Sequence, residues 1–321
     1  MAVVIGIDGG GTKTKAIMAN NNGEILATAI AGPSNPNAIS ANELEQTIRS
    51  IFFQLHNENQ TEFQKVQFCF AGMAGAGEGN IRNAIHEVIE KVCREYDIPF
   101  QIHNDGVNAL FAGTYGEPGI VLISGTGSIA YGMSKDGHFH RVGGWGYLFD
   151  DLGSGYDLGR AALMAVFQAF DGRGEETLLT NLLKKYFQVE DIPSIVPKVY
   201  QHKAPRSIIA PISHLVFDAY DNGDFVAEKI IDRTGEELSR IVQSMQKRLN
   251  LDEHQNIVFV SGGIFNRLDV LERYMLKHFS EPINFQRLQH EPVVGAVVAA
   301  LKQLNLEITC QFKKNISNIN D

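Results

Sequence analysis

The chain has 321 residues, of which 44 % are apolar and 20 % charged, a composition typical of a folded globule with one large core or two ordinary ones. Its formal net charge of −9 argues against a nucleic-acid partner, because such partners usually meet a basic face. Three widely separated cysteines, Cys69, Cys93 and Cys310, argue against a zinc site or a disulfide framework and indicate a reducing, cytoplasmic location.

The first hundred residues alternate strand and helix patterns. Residues 3–8, 15–19 and 24–30 predict three strands joined by short turns, with Asn22-Gly23 forming a tight hairpin. The N-terminal apolar run is too short for a signal peptide. Helical spacing of apolar residues follows over 41–56 and 81–92, and strands are expected over 66–70 and 100–103.

A similar pattern starts again after residue 119. Strands are expected over 120–124, 129–133 and 138–142, with a turn at Asp136-Gly137. The later predicted elements are helices over 156–169 and 226–249, a strand over 257–260, a helix from Asn266 and a closing helix over 292–304. No apolar run approaches the roughly 20 residues that span a bilayer, so no membrane partner is expected.

The two hairpins form a weak internal repeat. One opens at Gly10 and closes at Gly23, and the other opens at Gly125 and closes at Gly137. Two such hairpins predict two related lobes that face one ligand. We expect an N-terminal lobe over 1–115, on which a closing helix over 292–305 packs back, and a C-terminal lobe over 116–291.

The segment Gly9-Gly10-Gly11-Thr12 predicts a phosphate-binding loop, because glycines let backbone N–H groups approach an anion closely. A plain glycine-rich turn is the alternative. A Walker A loop has its lysine directly after the second glycine, but here Thr12 comes between Gly11 and Lys13. No glycine follows at the offset that a dinucleotide-binding fingerprint requires. Both of those motifs require a helix next, whereas a strand is expected here, so the loop is predicted to be a hairpin turn.

Two further glycine segments have related chemistry. Gly125-Thr126-Gly127-Ser128 offers small residues, two hydroxyls and free N–H groups at the matching point of the second hairpin. Ser261-Gly262-Gly263 lies between a strand and a helix, where a nucleotide commonly binds. A tight turn without a ligand is the alternative for each.

Two aspartates follow predicted strands. Asp8 could hold Mg²⁺ beside phosphates, or it could only complete an Asx turn. Asp105 could accept the proton of a substrate hydroxyl, as a kinase requires, or it could cap the helix that follows. The residue types alone leave both choices open.

The single tryptophan lies in Gly143-Gly144-Trp145-Gly146, a segment suited to the wall of a sugar site. A core tryptophan is the alternative. Asp150-Asp151 and Gly153-Ser154-Gly155 follow, and they could bind hydroxyls or cap the next helix.

Together these segments resemble the N-acetylglucosamine kinase branch of the BadF/BadG/BcrA/BcrD ATPase family, within the sugar kinase–actin superfamily. The resemblance covers about residues 3–304. It implies an α/β, two-lobed actin-like ATPase (ribonuclease H-like) fold of mixed sheets with flanking helices. It also implies an ATP-dependent, Mg²⁺-assisted kinase that phosphorylates the 6-hydroxyl of an N-acetylated amino sugar.

The resemblance also implies residue roles. Asp105 would be the catalytic base at the sugar 6-hydroxyl. The sugar would be contacted by Asn35, Asp105, Gly144, Trp145, Gly146 and Asp151. ATP would be contacted by Gly10, Gly11, Thr12, Lys13, Gly125, Thr126, Gly127, Ser128, Gly262 and Gly263. The expected partners are these two small molecules and a second copy of the chain in a homodimer.

The chain departs from the family pattern at one segment. Where the family often has Gly-Asp-Glu-Gly-Ser, this chain has Asp150-Asp151-Leu152-Gly153-Ser154. Leu152 replaces a glutamate of that pattern and could leave room for a lactyl ether. A muramic-acid kinase is therefore also among the expectations.

Other functions were weighed against this one. A glucosamine kinase differs only in its substrate. An ATPase activator of a dehydratase or reductase needs paired cysteines for a shared iron–sulfur cluster, and no close pair is expected here. A sugar-responsive repressor needs a DNA-reading domain, for which the chain leaves no room before the loop at residue 8.

Overall fold

The computed structural model describes residues 1–77, 79–250 and 257–317. The chain divides into two compact units: a first unit of Met1–Pro118 with Leu288–Asp321, and a second unit of Gly119–Arg287. Each contains one five-stranded mixed sheet with flanking helices.

The first sheet has β1 at its centre. Its strands are β1 (Val3–Gly9), β2 (Thr14–Asn20), β3 (Ile25–Ala31), β4 (Val66–Met73) and β5 (Phe100–Asn104). They lie in the order β3-β2-β1-β4-β5, with β1 antiparallel to β2 and parallel to β4. Because β1 is buried along almost its whole length, it is apolar at nearly every position and does not alternate.

Helices cover this sheet and connect its strands. They are α1 (Ala41–Glu58), α2 (Gln60–Phe63), α3 (Asn80–Glu95) and α4 (Asp105–Thr114). A capping box formed by Ser40 and Glu43 starts α1. Apolar residues at helical spacing give α1 a buried face, which comprises Leu44, Ile48, Ile51, Phe52 and Leu55.

The second sheet repeats the plan of the first. Its strands are β6 (Gly119–Ser124), β7 (Ser128–Met133), β8 (Phe139–Gly143), β9 (Ile257–Ser261) and β10 (Asn284–Arg287). Their order is β10-β9-β6-β7-β8, and β6 is antiparallel to β7 and parallel to β9. The same order of hairpin and crossover strands in both sheets confirms the internal repeat.

The second unit carries the larger set of helices. They are α5 (Gly155–Phe170), α6 (Leu179–Phe187), α7 (Ile195–Tyr200), α8 (Pro205–Ile209), α9 (Ser213–Asp221), α10 (Phe225–Leu249) and α11 (Leu268–Leu276), with 3₁₀ turns at Ala210–Ile212 and Gly263–Arg267. The helix expected from Asn266 therefore begins as a 3₁₀ turn, and its α-helical part starts at Leu268.

The chain then returns to the first unit through α12 (Pro292–Gln303) and α13 (Cys310–Ile316). Every residue from Val293 to Leu301 is buried, and α12 packs on β1 and α4. Two glycines permit this close packing. A Cβ on Gly6 would lie 2.4 Å from Val297 N, and one on Gly295 would lie 1.8 Å from Asn108 O.

The sequence predicts no close pair of cysteines, and this prediction is wrong. Cys69 on β4 and Cys93 on α3 form a side-chain hydrogen bond, which together with burial raises the pKa of Cys69. Both thiols are buried in the core between sheet and helix, whereas a shared cluster requires cysteines at a subunit surface. Within the described ranges, no helix is both long and apolar enough to span a membrane.

Candidate active site

The first glycine loop is a hairpin turn, as the sequence predicts. Gly9 pairs with Thr14 across β1 and β2, and Gly10 N donates to Lys13 O at 3.0 Å. The three residues at the tip, Gly11, Thr12 and Lys13, are exposed. The loop therefore presents glycine N–H groups, a hydroxyl and an ammonium group to solvent.

Neighbouring segments support the base of this loop. Ser34 N donates to Gly10 O at 3.0 Å, and Ala74 N donates to Gly9 O at 2.7 Å. A Cβ on Gly9 would lie 2.6 Å from Ser34 Oγ and 2.5 Å from Met73 Sδ. A side chain here would require Met73 and Ser34 to move, so packing favours glycine at this position.

Asn35 lies on the segment that supports the loop. Its Oδ1 accepts from Asn37 N at 3.0 Å, which forms an Asx turn. The remaining polar group of this side chain is its NH₂, which is a hydrogen-bond donor. Asn35 is therefore suited to a ligand that presents an acceptor, such as a carbonyl or a hydroxyl oxygen.

Asp8 lies at the end of β1, next to the first loop. Burial raises its pKa to about 6, and the charges of Asp105 and Glu291 act in the same direction. A hydrogen bond from Asn108 and the charge of Lys13 oppose this rise. The position thus has an excess of negative charge that a bound cation would stabilise.

Asn108 holds Asp8 in place, and the sequence analysis missed it. Its side chain is buried, and its Nδ2 donates to Asp8 Oδ1 at 2.8 Å and faces Ile7 O and Gly72 O, each at 3.2 Å. The spacing gave a weak signal: Asn108 follows Asp105 by three residues on α4 and so projects from a similar side of that helix.

Asp105 is the first residue of α4, but it does not cap that helix. The cap is Asn104, whose side chain accepts from Gly106 N at 2.9 Å. The capping alternative for Asp105 is therefore wrong. Burial raises the pKa of the Asp105 carboxyl, against the opposing effect of backbone N–H groups at Asp105 and Gly106. A raised pKa suits a group that accepts a proton near neutral pH.

The second glycine loop joins β6 to β7. Ser124 pairs with Ser128, and Gly125 N donates to Gly127 O at 2.9 Å. Thr126 is exposed at its tip, whereas Ser128 is buried. This turn therefore matches the first loop in its hairpin position and in its exposed threonine.

The segment Asp151–Gly155 is hydrogen-bonded to this second loop. Ser124 Oγ donates to Gly153 O at 2.9 Å, Ser128 Oγ donates to Leu152 O at 2.7 Å, and Gly155 N donates to Gly125 O at 2.7 Å. Ser154 caps α5, which confirms the capping alternative for this segment, although neither Asp150 nor Asp151 is the cap. The expected sugar segment and the second phosphate loop are one hydrogen-bonded structure.

Asp151 forms an ion pair that the sequence did not reveal. Its Oδ2 lies 2.8 Å from Arg206 Nη2, and its Oδ1 accepts from Ser128 N at 3.4 Å. Burial raises the pKa of the Asp151 carboxyl, and the charge of Arg206 opposes this. Arg206 lies on the short helix α8, 55 residues further along the chain, and no local pattern connects the two.

The glycine-flanked tryptophan is not a core residue. Trp145 is 69 % exposed, and the Arg141 guanidinium lies 3.7 Å from the centre of its ring. Gly143, Gly144 and Gly146 all have positive φ, so this backbone requires glycine. Beside it is a cavity lined by Val142, Gly143, Trp145, Phe149, Asp150, Leu152, Glu237, Arg240, Ile241 and Ser244.

Gly262 and Gly263 follow β9 and lie against the second loop. Gly262 has a φ of 100°, and a Cβ there would lie 2.2 Å from Ser124 O. A Cβ on Gly125 would lie 4.0 Å from Gly263 N. The turn expected to bind adenosine is thus adjacent to the turn expected to bind phosphates.

Comparison with known proteins finds relatives along nearly the whole chain. An N-acetylmuramic acid/N-acetylglucosamine kinase from Clostridium acetobutylicum is 29 % identical over 94 % of this chain and 98 % of its own length. An N-acetyl-D-glucosamine kinase from Dictyostelium discoideum is 30 % identical over 93 % of this chain and 98 % of its own length.

The fold is also found in solved structures. A Chromobacterium violaceum protein assigned as an N-acetylglucosamine kinase superposes with a TM-score of 0.71 at 24 % identity, covering 93 % of this chain and 98 % of that one. This similarity confirms the expected α/β, actin-like fold. The sequence pattern of one ATPase family matches residues 5–300, which is more than nine-tenths of the chain. The protein is therefore a member of the BadF/BadG/BcrA/BcrD ATPase family.

Proposed function

We propose that this protein transfers the γ-phosphoryl group of ATP to the 6-hydroxyl of N-acetylglucosamine and that it also accepts N-acetylmuramic acid. The observation that carries the proposal is the position of Asp105. Its carboxylate begins α4 without capping it and has a raised pKa. The full-length relatives named for these two sugars supply the substrate class.

In this proposal Asp105 accepts the proton of the 6-hydroxyl as the phosphoryl group is transferred. Phosphoryl transfer depends mainly on positioning and on stabilisation of charge. Gly10, Gly11, Gly125 and Gly127 offer backbone N–H groups to the phosphates, and their lack of side chains permits close approach. The side chains assigned to the phosphates are Thr12, Lys13 and Thr126, and the adenosine is assigned to Gly262 and Gly263. The Ser128 side chain expected at the phosphates is buried and donates to Leu152 O, so Ser128 shapes the loop instead.

Asp8 fits a magnesium ion. The described residues include no group of three or more His, Cys, Asp or Glu that could hold a metal on its own, and Mg²⁺ needs only one or two carboxylates beside phosphates and waters. The Asp8 carboxylate is oriented by Asn108 and has a pKa of about 6, so a cation would favour its charged form. When bound, Mg²⁺ would neutralise charge on the phosphates.

The sugar is assigned to Asn35, Gly144, Trp145, Gly146 and Asp151. The Asn35 NH₂ can donate to the acetamido carbonyl or to a hydroxyl, and the turn formed by its oxygen holds the side chain in place. The exposed Trp145 ring provides a flat apolar surface for a sugar face. Asp151 is held by Arg206, so it is oriented before a ligand arrives.

Cellular location and assembly follow as expectations. We assign the reaction to the cytoplasm, where ATP is available and where the cysteines of this chain would stay reduced. A homodimer is expected, and light scattering on the purified protein measures its mass.

An ADP-release assay with Mg²⁺-ATP tests the function. N-acetylglucosamine, N-acetylmuramic acid, glucosamine and glucose are compared, with Asp105→Asn as the background control. A site that hydrogen-bonds an amide is left with unpaired groups when it binds glucosamine, at a cost of about 1–3 kcal/mol. We expect N-acetylglucosamine to exceed glucosamine by at least about tenfold in kcat/KM.

The possible results separate the substrate from the reaction. Equal or better activity with glucosamine would contradict the N-acetyl assignment and leave the kinase assignment standing. No ADP release with any of the sugars would contradict the kinase assignment itself.

A further inference from the structure

Arg206 lies directly on the second glycine loop. A Cβ on Gly127 would lie 2.6 Å from Arg206 Nη2 and 2.8 Å from Asp151 Oδ2. The ion pair therefore occupies the space that a side chain at position 127 would need. Glycine at this position lets a guanidinium group pack against the turn itself.

The two members of the pair differ in how far their hydrogen-bonding groups are used. The Asp151 side chain is 4 % exposed, and both of its oxygens accept hydrogen bonds. The Arg206 side chain is 37 % exposed, and its Nε is buried without a hydrogen-bond partner in the part of the chain that the structure describes. A guanidinium has five N–H donors in a planar fork, so Arg206 keeps donors for another acceptor.

Arg206 also brings charge to a loop that has none. Gly125, Thr126, Gly127 and Ser128 carry no charged side chain, so positive charge at this turn comes from outside it. The centre of the Tyr147 ring lies 5.5 Å from Arg206 Cζ, within the range of a cation–π interaction. The guanidinium is thus held beside the loop with one edge open.

We propose that Arg206 binds an oxyanion of a ligand at the second loop. The proposal rests on the proposed function, which brings two oxyanions of suitable chemistry: the phosphates of ATP and the carboxylate of the lactyl group in N-acetylmuramic acid. Both match the two-pronged geometry of a guanidinium fork. In either case Asp151 positions Arg206, and Arg206 binds the negatively charged group of the ligand.

The test uses equilibrium binding, with a neutral partner for each anion. In the nucleotide arm, calorimetry compares ATP with adenosine. In the sugar arm, it compares N-acetylmuramic acid with its methyl ester, which has nearly the same size and no charge. The variants are Arg206→Gln, which removes the charge, and Arg206→Lys, which keeps the charge for Asp151 and loses the fork.

In Arg206→Gln, the preference for the anion over its neutral partner should fall at least tenfold in one arm. Arg206→Lys should lose several-fold in the same arm. A fall in the nucleotide arm identifies a phosphate as the ligand, and a fall in the sugar arm identifies the lactyl carboxylate. Arg173→Gln is the matched control, because Arg173 pairs with Asp171 in an exposed ion pair outside the proposed site.

A purely structural role gives a different result. If Arg206 only supports Asp151, the anion and its neutral partner weaken together, both preferences stay unchanged, and the proposal is overturned. Arg206→Lys keeps this outcome measurable if Arg206→Gln does not fold. Because binding is measured without turnover, failure of the kinase assay would not decide the outcome here.

Discussion

The two glycine loops occupy the same place in two sheets of the same topology, yet they are supported in different ways. The first loop has ionisable groups around it, including Asp8, Lys13 and Asp105, and its tip is open to solvent. The second loop has no charged residue of its own, and the charges beside it, Asp151 and Arg206, are paired with each other; it is held by this pair, by hydrogen bonds to Asp151–Gly155 and by close contact with Gly262. A repeated hairpin has therefore kept its geometry while its surroundings have diverged.

The difference shows that two kinds of constraint limit which residues can lie at and around the loops. Around the first loop the constraint is electrostatic, because like charges lie close together and burial disfavours their ionised forms. Around the second loop it is steric, because a side chain at position 127 or 262 would overlap existing atoms. The predictions below test this distinction.

The largest effect is expected at Asp105. Asp105→Asn should lower kcat by roughly 10²-fold or more, with the KM for the sugar little changed, because the proton acceptor is lost while the shape is kept. Asp151→Asn should reduce kcat less, because this carboxylate is already engaged by Arg206. Steady-state kinetics of both variants measure the contrast. Near-native turnover in Asp105→Asn would transfer the role of base to Asp151 and reverse the comparison.

A smaller effect, a loss of ATP affinity, is expected when a side chain blocks the approach of ATP to either loop. Gly10→Val and Gly125→Val should each weaken ATP binding by at least about tenfold, since losing one or two backbone hydrogen bonds costs about 1–3 kcal/mol. A Cβ on Gly125 meets no atom closer than 4.0 Å, so this variant should fold. Gly32→Ala is the control, with its nearest contact at 3.9 Å. Normal ATP binding by either valine variant would remove that loop from the nucleotide site.

Folding stability should be more sensitive to substitution beside the second loop than at the tip of the first. Gly262→Ala should destabilise the protein by about 2 kcal/mol or more, because φ is 100° and the new Cβ would lie 2.2 Å from Ser124 O. Gly11→Ala, at the tip of the first loop, should change stability by less than about 0.5 kcal/mol, since no atom lies within 4 Å of its Cβ. Urea unfolding measures both. Equal effects would show that the turn at Gly262, against the second loop, is no more crowded than the tip of the first loop.

The smallest effect concerns the charge at Asp8 in metal-free protein. Its pKa rises from 3.8 to about 6, so the folded state binds this proton more tightly than the unfolded state does. Stability from this group is therefore full below about pH 3.8 and is lost as the pH rises to about 6. Asp8→Asn should remove that loss and stabilise the protein by ~1–2 kcal/mol at pH 7, less than the full shift implies because the group is partly exposed.

Thermal unfolding with a chelator between pH 4 and pH 8 gives this measurement. Asp171→Asn is the control, because Asp171 is an exposed partner of Arg173 and its pKa is lowered instead of raised. A less stable Asp8→Asn at pH 7 would contradict an electrostatic cost at the first loop.

Local patterns in the sequence were enough to predict both loops and every strand except the edge strand β10, whereas the helices α6 to α9 were not predicted. Turn glycines such as Gly23 and Gly137 have the positive φ that hairpins need, and alternation of strand and helix follows from apolar spacing. The bounds of most elements differ by only a few residues from the expected ones.

The remaining features depend on contacts between distant segments. Arg206 meets Asp151 across 55 residues, and Cys69 meets Cys93 only because α3 packs on β4. The sequence leaves open whether Asp105 caps α4, and the structure gives the cap to Asn104; the two residue types cap helices about equally well. Such choices are settled by tertiary packing, which one sequence does not display.

The return of α12 to the first sheet has a consequence for how the protein is made. The second unit is continuous in sequence and can fold as soon as it leaves the ribosome, whereas the side of β1 that packs on α12 stays uncovered until residues 292–303 have been synthesised. At about 5–20 residues per second, the wait after residue 118 lasts on the order of ten seconds. During that interval one side of β1 lacks its helix, while Val3, Ile5 and Ile7 can already pack with α1, so the first unit is the part of the chain that completes its core last.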